Sequence, residues 1–136
     1  MKVDVGLVAQ ALDDRSGNMW YLDRTNGDVF AIPQDPGDTQ QEAIDLVESE
    51  PDRFLTIDPL DSRDEFVIME DYIETLPEGE ARRSLARAIN APRPFASFKE
   101  ALHDFPDERK AWFQFEEGFL LESAREFLRS REISFE

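Results

Sequence analysis

His103 is the only histidine in the chain, and cysteine is absent. Nucleophilic thiols, disulfides, thiolate metal sites and redox couples are therefore excluded together. A conventional zinc site needs more nitrogen or sulfur ligands than one imidazole supplies. His103 stands between Leu102 and Asp104, near the expected end of a helix, with no serine elbow or glycine-rich phosphate loop to accompany it. It reads as a surface residue rather than a catalytic base or metal ligand. Any chemistry then falls to carboxylates and bases. Glu70, Asp71, Lys99 and Arg109 are polar residues set among apolar anchors. Such positions form either the ion pairs that fix helix orientation or the mixed-charge lining of a cleft, and the structural role is the expected one.

Glu116 is a sharper anomaly. On a helical wheel of about 100° per residue, Trp112, Phe113, Phe115, Phe119, Leu120, Ala124 and Phe127 form one broad apolar arc with Glu116 near its middle. A carboxylate facing a core must be paired or protonated. Arg109 lies on the same line two turns earlier, and Arg82, Arg83 or Arg87 could reach it from a neighbouring helix. The wheel fails if the helix breaks at Gly118. Asp58, Asp61, Asp64 and Glu65 also crowd together, but without the glycine and terminal glutamate of a calcium-binding loop. A solvated face with helix-start acids is the simpler expectation, and no metal or cofactor is assigned. No two acids are tied to the separation that glycoside chemistry requires.

The elements that would hold these residues can be read from periodicity and punctuation. Val5, Val8, Ala9 and Leu12 recur at helical spacing and predict a short helix over residues 4–13. Strands are expected over Met19 to Asp23 and Asp28 to Ile32, joined at Thr25-Asn26-Gly27, because Asn-Gly tolerates the positive φ of a tight hairpin. Trp20 and Leu22 then share one face of the strand, while Tyr21 and Asp23 share the other, with Tyr21 the more exposed aromatic. A helix over 39–49 turns Ala43, Leu46 and Val47 inward, with Asp38 as its cap. Phe54 to Ile57 supplies a third strand, which a lone hairpin needs for stability. Ser62 and Glu65 have capping-box spacing ahead of a helix carrying Phe66, Met69, Ile73 and Leu76. Two shorter helices follow, around Ala81 to Ile89 and Phe95 to Leu102. A long helix runs from about Asp107 to Arg131, and Ile133 to Phe135 forms an edge strand or packs down. The fold class is α+β: a small antiparallel sheet with an N-terminal hairpin, packed against a mostly helical C-terminal half.

The chain has 136 residues with 31 Asp and Glu, 15 Lys and Arg, and a formal net charge of -16. That length suits a single domain spanning residues 1–136, and eleven Phe with two Trp are ample for a core. No basic, apolar leader pattern opens the sequence and no stretch approaches a membrane span, so the cytoplasm is the default compartment. The acidity is uneven. Residues 1–68 hold 16 acids and 5 bases, whereas segment 78–115 holds 6 acids and 7 bases. Such a field repels phosphate backbones and anionic lipid. The aromatic hairpin lacks the positive groove of a nucleic-acid stacking platform.

Four segments in this order resemble a small bacterial group, uncharacterised protein family 0158. They are Trp20-Tyr21-Leu22-Asp23 with Thr25-Asn26-Gly27, then Phe66 to Ile73 (FVIMEDYI), Phe95 to Leu102 (FASFKEAL) and Pro106 to Phe115 (PDERKAWFQF). The similarity covers most of residues 3–133. It places Tyr21, Asp23, Gly27, Met69, Glu70, Asp71, Phe95, Phe98, Lys99, Leu102, Arg109, Trp112 and Phe115 at motif positions, and it implies no activity. The acidic stretch 35–53 is the least family-like part.

Taken together, Tyr21, Asp23, Glu70, Asp71, Lys99, Arg109 and Glu116 are the candidate cleft or interaction residues. The expected role is a non-enzymatic acidic protein-interaction or regulatory module with a basic protein partner. The alternatives are a small-ligand binder or weak-signature enzyme with a mixed-charge cleft, and a nucleic-acid mimic. Neither a membrane nor direct nucleic-acid binding is expected.

Overall fold

A computed structural model describes residues 2–135. It contains three strands and six α-helices among those residues, an α+β architecture. The contact pattern divides the chain into two compact units. The first comprises residues up to Pro59 together with those from Leu120 onward, and the second is Leu60–Phe119.

In the first unit, α1 (Val5–Asp13) begins where Asp4 Oδ1 accepts the Leu7 N–H at 3.3 Å. Val8, Ala11 and Leu12, on its i, i+3, i+4 face, are buried, and the helix packs on β2 and β3. Strands β1 (Met19–Asp23), β2 (Val29–Ile32) and β3 (Phe54–Ile57) form an antiparallel sheet in the order β2-β1-β3. Tyr21 lies opposite Phe30 on one side and Thr56 on the other. The third strand thus pairs with the hairpin as the sequence predicts. Alternation holds from Met19 to Leu22, with Trp20 and Leu22 buried and Tyr21 the more exposed aromatic, and it ends at Asp23, which is buried.

The hairpin turn places Gly27 at φ +84°, where its N–H donates to the Asp23 carbonyl at 2.8 Å. A side chain there would be forced into the left-handed region. After β2, a 3-10 turn (Asp38–Gln40) leads into α2 (Gln41–Ser49). Asp38 does not cap this helix in the expected manner. It opens the 3-10 turn, and the Gln40 side chain accepts the Gly37 N–H at 2.8 Å. The inward face of α2 is rotated as well: Ala43, Ile44 and Val47 are half-buried, while Leu46 is exposed.

The second unit holds α3 (Ser62–Thr75), α4 (Glu80–Ile89), α5 (Pro94–Leu102) and the first half of α6 (Pro106–Ser130). The capping box of α3 sits one residue earlier than the spacing suggests. Asp61 Oδ1 accepts the Asp64 N–H at 2.9 Å, and Asp64 Oδ2 accepts the Asp61 N–H at 3.3 Å. Aspartate is as good an N-cap as serine, so Asp61 closes the box before Ser62 can. At the other end, Arg82 Nη1 donates to the Leu76 carbonyl, occupying one of the orphan acceptors past the helix. The core gathers Ile68, Met69 and Ile73 from α3, Leu85 from α4, Phe98 and Leu102 from α5, and Trp112 from α6. Tyr72 completes it, with its ring edge-on to Trp112 and its hydroxyl donating to the Glu108 carbonyl at 2.6 Å.

Helix α6 runs through Gly118 without a break. Its end is a Schellman-type cap in which Ile133 N–H reaches the Leu128 carbonyl at 2.9 Å and Glu132 N–H the Arg129 carbonyl at 3.0 Å. Residues 133–135 form no strand. The left-handed position of this cap is occupied by Glu132, at φ 58°. Replacing it with glycine removes a Cβ clash of about 1–2 kcal/mol, partly offset by the greater entropy of glycine in the unfolded chain. Glu132→Gly is therefore expected to stabilise the protein by about 0.5–1 kcal/mol, readable as a higher urea midpoint.

Candidate functional site

Asp23 is the best-defended polar side chain in the first unit. It is 4% exposed, at the end of β1. Arg53, just before β3, meets it with both arms of its guanidinium: Nε to Oδ1 at 3.0 Å and Nη2 to Oδ2 at 2.8 Å. Thr25 adds its N–H at 2.9 Å and its hydroxyl at 2.6 Å, both to Oδ1. The charged donors dominate, and they hold the Asp23 carboxyl at about 2 against an ordinary value of 3.8. The Arg24 N–H donates to the Arg53 carbonyl at 2.9 Å, and the Arg53 guanidinium lies 5.1 Å from the Phe54 ring centroid. With all of these donors engaged, Asp23 is a lock between the hairpin turn and β3. Sequence spacing could not name Arg53, because thirty residues separate the pair.

A second carboxylate hub was not marked by the motifs. Asp14 follows α1 and accepts from Ser16 Oγ (2.6 Å) and N–H (2.9 Å), from Asn18 Nδ2 (3.1 Å) and from the Trp20 indole N–H (2.7 Å). Ser16 and then Trp20 contribute most to lowering its pKa to about 2. An aspartate two residues before a serine is the signal that could have revealed it, since short polar side chains bond the backbone two positions on.

Beside this loop lies an open groove of about 420 Å³. One wall is the sheet face carrying Met19, Tyr21 and Ile32; the other is α2 with Ile44, Val47 and Glu48. Tyr21 rests on Phe30 at 5.7 Å between centroids, and Phe30 meets Phe54 edge-on at 5.9 Å. Gly17, at φ +93°, closes one end, where an added Cβ would come within 2.5 Å of Gln34 Oε1.

In the second unit, the mixed-charge residues only partly converge. Lys99 of α5 and Glu116 of α6 line one small cavity with Glu65 of α3, over Phe98 and Trp112. Its volume is about 20 Å³, room for about one water molecule. Glu116 is half-buried, as the helical arc implies. Arg109, the nearest basic residue on the same line of the helix, is exposed and places its guanidinium 5.0 Å from the Phe113 ring centroid. Arg82 is committed to the end of α3, and Arg83 and Arg87 are exposed. Glu70 and Asp71 are exposed on α3, and neither lines this cavity. His103 is exposed at the C-terminal end of α5. No group of three or more His, Asp or Glu side chains among the described residues could hold a metal ion. No described helix is long and apolar enough to cross a membrane.

Residues 3–136 match the Uncharacterised protein family (UPF0158). The chain is also 33% identical over 133 residues to UPF0158 protein PA5073 of Pseudomonas aeruginosa, a match covering 98% of this chain and 85% of that protein. No solved structure matches it. The chain belongs to the UPF0158 family.

Proposed function

We propose that this UPF0158 member is a non-enzymatic, acidic protein-interaction or regulatory module of the cytoplasm whose partner is a basic protein. The observation that carries this reading is the stretch from Asp35 to Arg53, which holds seven acids and one base. All seven acids are exposed, on α2 and its flanking loops. Like-signed charges this close cost stability through mutual repulsion, and they raise the encounter rate and selectivity for an oppositely charged partner. The polar residues with the most elaborate bonding, Asp14 and Asp23, have their oxygens occupied by the protein's own donors. Of the seven acids, Glu50 pairs with Arg53 at 3.1 Å and Asp45 accepts from the Gln41 amide at 2.9 Å, and the stretch as a whole is the chain's principal offering to other molecules.

The test is affinity capture on the immobilised full chain across a salt series. The expected result is a stoichiometric basic protein retained at low ionic strength and released as salt shortens the Debye length from about 30 Å to below about 8 Å. The Asp45→Lys, Glu48→Lys double variant should lose it. Failure to retain any stoichiometric partner, or retention indifferent to that charge reversal, would overturn the reading.

A further inference from the structure

We infer that the groove between the β1–β2 face and α2 is the docking site for a basic segment of a partner protein that inserts apolar side chains between the two walls. The inference rests on the interaction-module reading and gives it a location and a partner chemistry.

The walls have the character of a binding surface rather than of a covered core. Met19 remains 48% exposed, although its cross-strand partner Ile32 is buried. Met, Tyr and Pro side chains meet in the groove. Methionine adapts its shape to a partner, and tyrosine offers a broad apolar ring with a polar tip. Met and Tyr are enriched at protein interfaces over the rest of the surface. The loop at the Gly17 end of the groove is fixed by its own hydrogen bonds to Asp14, and Gly17 without a Cβ lets Gln34 pass close by. Tyr21 is backed by Phe30. A preformed site spares a partner part of the ordering cost of binding.

Charge selects the occupant. Glu48 lines the groove, Asp45 and Glu42 stand exposed on the same helix, and Asp35 and Asp38 are exposed within two residues of the lining Pro36. A second copy of this chain would bring the same acids against them, and nucleic acid or anionic lipid would meet the same repulsion. A neutral apolar segment would fill the groove but gain nothing from the rim. A segment with apolar anchors and flanking Lys or Arg satisfies both features.

Fluorescence anisotropy with the full chain and three synthetic peptides tests this: a Leu–Lys amphipathic peptide, a Lys–Gln peptide of equal charge, and a neutral Leu–Gln peptide. The Leu–Lys peptide should bind at least tenfold more tightly than either of the others. Met19→Glu should weaken it roughly tenfold even though the variant is more acidic, because a buried apolar contact is lost. Met19→Ala should weaken it several-fold, and it serves if the glutamate variant fails to fold by far-UV circular dichroism. If Lys–Gln binds as well as Leu–Lys and Met19→Glu tightens both, the groove is not the site, while an acidic interaction module still stands. If Leu–Gln matches Leu–Lys, the basic partner is wrong. Self-association in sedimentation that Met19→Glu abolishes would instead make the occupant a second copy. Absence of binding by all three peptides at low salt overturns both the groove and the broader reading.

Discussion

Phe98→Ala is expected to cost about 4 kcal/mol, within the usual range of 3–5 for a buried Phe truncated to Ala. Phe98 is fully buried and meets Trp112 nearly edge-on, with ring centroids 4.8 Å apart. The truncation therefore removes both apolar burial and a favourable aromatic pair worth about 0.5–1.5 kcal/mol. It also leaves a void that α3 and α5 cannot close without shifting Ile68 and Leu102, which are themselves buried. Against a typical total of about 5–15 kcal/mol, this loss is a large part of the stability. Urea unfolding followed by tryptophan fluorescence measures it. Phe98→Leu, which preserves most of the volume, should cost no more than about 1.5 kcal/mol. A Phe98→Ala loss below about 1.5 kcal/mol would mean that the site collapses and is not the packed centre of the second unit.

Asp23→Ala should cost about 3 kcal/mol, at the lower end for breaking a buried ion pair because Arg53 is partly exposed. The variant loses the Thr25 bonds as well as the guanidinium pair. Asp23→Asn keeps an acceptor for Thr25 and should lose about 2 kcal/mol. The same interaction makes stability depend on pH. The folded pKa of Asp23 is lowered to about 2 from 3.8, so its contribution is fully present above about pH 4 and is lost as pH falls through about 2. A shift of that size corresponds to about 2 kcal/mol. Asp14 titrates in the same direction over the same window. Urea midpoints of wild type and Asp23→Asn should therefore be well separated at pH 7 and converge as pH approaches 2. A gap that stays constant across that window would show that the carboxylate charge is not what holds β3 to the turn.

Local chemistry was legible wherever the signal was short-range. Asn26-Gly27 marked the hairpin, alternation placed Trp20 and Tyr21 on opposite faces, and proline and caps bounded the helices to within one or two residues. What failed depended on packing. Ser62 and Asp61 are chemically equivalent caps, and only the backbone path chooses between them. Leu46 belongs on the inner face of α2 by periodicity, yet the helix presents Ile44 to the groove in its place, beside the expected Val47.

The wheel drawn on Trp112 put Phe113 in the apolar arc, but Phe113 is 50% exposed and Leu128, outside the arc, is fully buried. The two halves of α6 belong to different units, so one wheel cannot serve both. The candidate site divided in the same way. Glu116 stands out because a polar residue among apolar ones demands an explanation, and Asp23 because it ends the hairpin's first strand at a motif position. Arg53, which meets Asp23, is hidden from a sequence reading because thirty residues separate the pair, whereas Lys99 is a candidate whose shared cavity with Glu116 no periodicity could show.

The order in which the chain is synthesised gives the division into units a temporal meaning. The second unit is contiguous, whereas the first is interrupted and is completed only by residues from Leu120 onward. During translation at roughly 5–20 residues per second, the sheet and its hairpin wait about 3–12 s while the intervening segment is made. Throughout that interval Leu128 and Ala124, both fully buried in the finished protein, have not yet been added. The nascent sheet is then most exposed to unwanted association. The dense negative charge of residues 1–68 is laid down early in that interval, and like-charged chains repel one another.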